Sequence, residues 1–187
     1  MMKQDFGFAT RRGMGALVLA VALTGCGGGG TAGSTSGAGS SRTPQEEIAL
    51  LEANGELPVL EREPTLGGID ANTNGVRDDI ERHIEKKYTE PAQRKAAMQT
   101  ARAYQQMLLV DKKDIVALDA ASEAGSRAIV CAKSAFPGLD GAAAHYRMST
   151  DLESLTSNTK MRLLAYLAYN KARSGTVSTM PRGDTCD

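Results

Sequence analysis

The chain has 187 residues, room for one domain with tails, and its 22 Lys and Arg residues balance 22 Asp and Glu. Aromatic residues make up 4% and Trp is absent, so any core has to come from thin, closely packed elements. Lys3, Arg11, Arg12 and Asp5 lie in the first 25 residues. The remainder is net acidic by two charges, which removes the basic footprint that nucleic-acid binding requires.

Lys3, Arg11 and Arg12 precede an apolar run from Met14 to Leu23. This is the pattern of an export signal, too short for a comfortable membrane span. No later stretch is long and apolar enough to cross a bilayer. Arg11-Arg12 after Thr10 also fits twin-arginine export, though two ordinary charges before the apolar run explain it as well. The run ends Leu23-Thr24-Gly25-Cys26, which resembles the lipobox of bacterial lipoproteins. The resemblance implies removal of residues 1–25, diacylglycerol on the Cys26 thiol, and palmitate-type acylation of the new amino group. An ordinary secretory signal with a chance Cys is the plainer alternative. Gly27 stands where an Asp would mark inner-membrane retention, so the expected address is the periplasmic face of the outer membrane.

Residues 26–42 hold the candidate lipidated Cys and a Gly, Ser, Thr and Ala stretch that cannot build a core. Its four-glycine run lacks the Lys-Ser/Thr ending of a phosphate loop. A folded domain is expected over residues 43–187. Thr43, Pro44 and Glu46 make a capping box with Pro at the first helical position. That predicts a short helix to about Ala53, closed by Asn54-Gly55. Residues 57–68 carry two prolines and Gly67-Gly68 and read as an extended lead-in.

Asp70 to Glu81 is the stretch richest in chemistry. It matches D-x-[DN]-x-[DN]-G-x₅-E in full. Calcium takes six to eight oxygens from a backbone that curls around it. Asp70, Asn72, Asn74, Asp78 and Glu81 fall at the side-chain positions, Val76 at the carbonyl position, and Gly75 at the sharp turn. A turn leading into a helix accounts for Asn74, Gly75 and the Asp78-Asp79 pair. It does not account for Asp70, Asn72 and Glu81 at their spacing. Arg77 stands where paired calcium hands carry an aliphatic residue, and no entering helix precedes the loop. A lone loop–helix unit is therefore expected, similar to those of dockerins and thrombospondin type 3 repeats. With only three carboxylates, affinity should be weak, about 10⁻⁴ M or weaker, as in extracellular modules.

Behind the loop, Ile80, Ile84 and Tyr88 give the exit helix an apolar stripe, with His83 off it and exposed. Pro91 opens a helix whose Ala97, Ala101, Tyr104 and Leu108 share a face. Asp114 caps a helix from Ile115 to Ala135. Its Leu118, Ala121, Gly125, Ala128, Ala132 and Ala135 admit a close neighbour, and Phe136-Pro137-Gly138 ends it. Residues 140–151 are ambiguous, with a short helix expected near Ala142 to Tyr146. A last helix over 159–173, capped by Asn158 and stopped by Gly175, is expected to turn Leu163, Tyr166, Leu167 and Asn170 one way, with Asn170 bonding a buried backbone group. Strand signals are absent. The fold class is all-α: a small bundle of about four to five helices with one loop–helix calcium unit.

With Cys26 lipidated, Cys131 and Cys186 remain, and in an oxidising compartment an isolated pair usually bonds. The alternative is a buried thiol at Cys131 and a free one at Cys186.

Gly68-Ile69-Asp70 through Glu81-Arg82-His83-Ile84 is similar to a recurring segment, G-I-D-x-[DN]-x-[DN]-G-V-R-D-D-[IV]-x-R-x-I, of a family of proteobacterial envelope lipoproteins. The late stretch Asn158-Thr159, Arg162 to Leu167, Tyr169-Asn170, Ser174-Gly175 and Cys186-Asp187 resembles that family's C-terminal part. The resemblance implies a small helical domain with a calcium-type loop and brings no activity with it. The expected function is thus a non-enzymatic, lipid-anchored binding or scaffold module with structural Ca²⁺. Its partners would be the membrane and an envelope protein, with no nucleic acid and no evident small-molecule substrate. An accessory or inhibitory subunit of an envelope complex is the alternative. An envelope hydrolase would draw on His83 or His145 as base and Ser122, Ser134 or Ser149 as nucleophile, but no nucleophile motif surrounds them.

Overall fold

The computed structural model describes residues 42–187. The signal, Cys26 and nearly all of the Gly-rich stretch lie outside the described residues. Six helices follow one another, with no strand among the described residues: α1 (Pro44–Ala53), α2 (Asp78–Lys87), α3 (Pro91–Leu109), α4 (Ile115–Ala135), α5 (Gly141–Thr156) and α6 (Lys160–Arg173). The chain is all-α as expected, with more helix than anticipated. None of these helices is long and apolar enough to cross a membrane.

Local chemistry accounts for most boundaries. The Thr43 hydroxyl accepts from Glu46 N, and the Glu46 carboxylate accepts from Thr43 N, closing the capping box over Pro44. Asp114 accepts from Ala117 N at 3.0 Å and starts α4. The long α5 replaces the short helix expected near Ala142 to Tyr146. Met148, Leu152 and Leu155 form its buried stripe at four- and three-residue spacing. Gly141 allows α5 to begin where it does, since a Cβ there would lie 1.8 Å from the Phe136 carbonyl oxygen.

The core has two parts. The larger joins Val76, Ile80, Ile84 and Tyr88 to Ala96, Ala97 and Ala101 of α3, Cys131 and Ala132 of α4, and Met148, Leu152 and Leu155 of α5. The smaller holds Leu118, Ala121 and Tyr169. Ala96, Ala97 and Ala101 of α3 and Ala121, Ala128 and Ala132 of α4 bury almost completely, so the backbones run close together, as the scarcity of aromatics demands. Helix α3 is central and packs on α2, α4, α5 and α6. Cys131 and Cys186 form a disulfide with Cα atoms 4.9 Å apart, fastening the irregular C-terminal tail to α4. That tail is also held by Gln99, which donates to Thr185 O at 2.8 Å and accepts from Asp187 N at 3.2 Å.

Two expectations for α6 are corrected. Its N-cap is Thr159, whose hydroxyl accepts from Arg162 N, rather than Asn158. The side-chain carbonyl of Asn158 is taken by Arg77 and Arg162, and its amide donates to Glu61 O. Nor do Leu163 and Leu167 face the core. The inward stripe is Arg162, Tyr166, Tyr169 and Arg173, while Leu163, Leu164, Leu167 and Asn170 are exposed. Arg162 has a buried salt bridge to make and the leucines do not, so the charge sets the helix's rotation.

Candidate metal site

Residues 70–77 form a tight loop that the first turn of α2, residues 78–81, closes with its side chains. Asp70 sits at its centre, its carboxylate accepting from Asn74 N at 3.1 Å and Gly75 N at 2.8 Å. Asn72 Oδ1 accepts from Asn74 N, and Asn74 Oδ1 from Val76 N at 2.9 Å. Asp78 Oδ1 accepts from Ala71 N at 3.0 Å, and the Asp78 N–H donates back to Ile69 O. Glu81 closes the ring, its two oxygens accepting from the side-chain amides of Asn72 and Asn74 at 3.0 and 2.9 Å. The Val76 carbonyl accepts no hydrogen bond among the described residues. Gly75 has φ +82°, and a Cβ there would press on Arg102, so the turn position requires glycine.

Hydrogen bonds tie Asp70 to the Asn74 and Gly75 N–H groups, Asp78 to Ala71 N, and Glu81 to Asn72 and Asn74. Asp70, Asn72, Asn74, Asp78 and Glu81 offer side-chain oxygens and Val76 a backbone carbonyl, a donor set suited to a hard cation. Three carboxylates alone do not make the centre: no group of three or more His, Cys, Asp or Glu side chains converges for a metal among the described residues. Among the carboxylates, Glu81 is the one that meets both the Asn72 and Asn74 side-chain amides. In donor chemistry the residues fit calcium; here Asn72 and Asn74 Oδ1 accept from Asn74 N and Val76 N, and their amides donate to Glu81.

Distant parts of the chain hold this loop, and sequence reading missed how. Arg77, which stands where paired calcium hands carry an aliphatic residue, is fully buried. Its guanidinium forks onto Asp79 at 2.9 and 2.6 Å and donates to Asn158 Oδ1 and to the Thr156 and Leu155 carbonyls at the α5–α6 corner. Asp79 also accepts from Glu61 N at 2.8 Å and from Ile80 N. Arg162, equally buried, meets Glu61 at 2.5 Å and Thr65 O at 3.1 Å. Two arginines and two acids thereby bind the lead-in, the loop exit and the α5–α6 corner into one network. Burial raises the Asp79 carboxyl's pKa, but the hydrogen bonds and charge of Arg77, with the Glu61 and Ile80 N–H groups, outweigh it and hold the carboxyl below its ordinary range. Gly68 lets the network close, since at φ +67° its Cβ would lie 2.5 Å from both Arg77 Cδ and Glu61 Oε2. From α3, Arg102 donates to Asn74 O at 2.9 Å and pairs with Asp187 at 2.8 Å, joining the loop to the C-terminal tail.

The hydrolase candidates are placed differently. His83 is not the exposed residue expected: it packs on Asp151 of α5 at 3.1 Å, beside Lys87. The Asp151 carboxyl is held below its usual range chiefly by the His83 hydrogen bond and by Lys87, against the opposing effect of burial. Ser122, His145 and Ser149 line one cavity of about 230 Å³ between α3, α4, α5 and α6. They are not wired as nucleophile and base. His145 Nδ1 lies 3.1 Å from Gly141 O, Ser149 bonds Tyr104 and Ser122 bonds Ser178. Ser134 donates to the Cys131 carbonyl.

Comparison with family models, with curated proteins and with solved structures finds no match for this chain.

Proposed function

We propose that this protein is a lipid-anchored envelope protein without catalytic activity of its own, in which calcium at Asp70, Asn72, Asn74, Val76, Asp78 and Glu81 sets where α2 begins and so braces the helical bundle. The observation that supports the reading is the loop itself, cross-linked by its own Asp70 and Glu81 side chains, with its exit bolted by Arg77 to the α5–α6 corner. Calcium would supply charge neutralisation among Asp70, Asp78 and Glu81 and no chemistry on a substrate. Arg77 transmits the loop's shape, since any shift of residue 76 or 78 disturbs the buried Arg77–Asp79 pair. The bundle then presents its surface to an envelope partner, on the periplasmic face of the outer membrane.

The Leu23-Thr24-Gly25-Cys26 sequence supports the anchor. Mass spectrometry of the protein from a bacterial membrane fraction tests it. The expected N-terminus is an acylated Cys26, and a soluble, unacylated product cut elsewhere would contradict the anchor. Crosslinking in intact cells tests the scaffold reading, with one dominant envelope partner expected.

A further inference from the structure

We propose that the outer face of α6 is a bilayer-docking surface for anionic lipid headgroups. The helix is amphipathic in the reverse sense for a bundle: Arg162, Tyr166, Tyr169 and Arg173 face inward and the leucines face out. Leu163, Leu164 and Leu167 are 45%, 54% and 52% exposed although they lie in a well-formed helix. Lys160, Leu164, Leu167 and Lys171 succeed one another at helical spacing of four, three and four residues, so they form a single stripe with leucines in the middle and an ammonium at each end. Met161 widens the apolar band. No acidic residue occurs between Lys160 and Arg173.

Two arguments select a bilayer over other occupants. The first is charge complementarity. Exposed cations flanking a leucine band match an interface in which apolar side chains enter the headgroup–acyl boundary and lysines meet anionic headgroups. The chain after residue 25 is net acidic, and α6, which carries Lys160, Arg162, Lys171 and Arg173 and no acid, runs against that sign. The second is where the chain outside the described residues leads. The stretch from Cys26 to Arg42 spans at most about 55 Å even fully extended, so a lipid on Cys26 keeps the domain beside a membrane. For this proximity alone the inference rests on the anchored reading. A few leucines and two lysines give only weak partitioning, which a second anchor converts to a fixed orientation.

The test uses the mature chain from Cys26 onward, oxidised and unacylated, so that it reads the α6 face independently of the lipid. Flotation with vesicles of phosphatidylethanolamine and phosphatidylglycerol is expected to give a partition constant on the order of 10³–10⁴ M⁻¹. Leu164→Gln with Leu167→Gln should lower it about tenfold with an unchanged melting temperature, since both side chains are already half exposed. Lys160→Gln with Lys171→Gln should lower it by roughly tenfold on these vesicles and hardly at all on phosphatidylcholine. Absence of flotation at millimolar lipid, or binding indifferent to the leucine pair, overturns the proposal. So does a concentration-dependent dimer, seen by sedimentation, that the leucine variant abolishes, because a second copy would then occupy the face. Loss of the acyl chain in cells with flotation intact would refute the anchor and leave the docking face standing.

Discussion

Replacing Arg77 with Met probes the network that ties the calcium-type loop to the bundle. The wild-type guanidinium is fully buried, makes two bonds to Asp79, and reaches Asn158 and two backbone carbonyls. Met fills similar volume but leaves the Asp79 carboxylate with only the Glu61 and Ile80 N–H groups. Removing one partner of a buried ion pair costs about 3–5 kcal/mol, because the other charge stays buried without compensation. That is a large share of the roughly 5–15 kcal/mol available to a domain. For a chain of this size it corresponds to a melting temperature lower by roughly 10–15 °C. Urea denaturation followed by far-ultraviolet circular dichroism, on oxidised protein, measures it. Adding Asp79→Leu should recover at least half of the loss, since an apolar pair avoids the stranded carboxylate. A cost below about 1 kcal/mol for R77M, or a double variant worse than either single, would refute the network's role.

Other outcomes follow from the same contacts. Gly68→Ala should cost roughly 2–4 kcal/mol, as it forces a Cβ at φ +67° against the buried Arg77 and Glu61 side chains. Gly55→Ala, at φ +74° with nothing within 4 Å, should cost only about 1 kcal/mol in the same urea assay. Reducing Cys131–Cys186, which closes a loop with sequence separation 55, should cost about 4 kcal/mol in the chain-entropy model, read as a lower urea midpoint in dithiothreitol. The Asp79 and Asp151 carboxyls titrate below their ordinary values in the folded protein, so the unfolded chain takes up protons first as pH falls. Their stabilisation is present above about pH 4 and is lost below it. Urea midpoints should therefore hold from pH 6 to 5 and fall between 4 and 3, with Asp79→Asn removing part of that fall.

How far the sequence could be read depended on whether a feature's cause was local. The capping box at Thr43, the stripe Ile80-Ile84-Tyr88 and the small-residue face of α4 depend on neighbours within a few turns, and all appear where periodicity put them. The α5 stripe Met148-Leu152-Leu155 has the same local spacing, but the Gly and Ala at the helix start and its Ser and Thr obscured it. The orientation of α6 was not legible. Hydrophobic periodicity pointed Leu163 and Leu167 inward, whereas Arg162 has its partner at Glu61, about a hundred residues earlier in the chain. Arg77 is the same case within the site. Its departure from the loop pattern was visible, but its destination at Thr156 and Asn158 was not. Pattern identified the loop residues, while the charges that hold the loop in place were set by tertiary partners.

The central claim, that calcium at Asp70 to Glu81 braces the bundle, is tested most directly by melting the oxidised protein in a calcium titration. With a dissociation constant near 10⁻⁴ M, 10 mM free Ca²⁺ should stabilise by about 2.7 kcal/mol. At this chain length that raises the melting temperature by roughly 5–10 °C. The rise should be much smaller with Mg²⁺ and absent in Asp70→Ala, whose carboxylate holds the loop's N–H groups. A melting temperature unchanged up to 10 mM Ca²⁺, or a rise that persists in Asp70→Ala, would contradict the account.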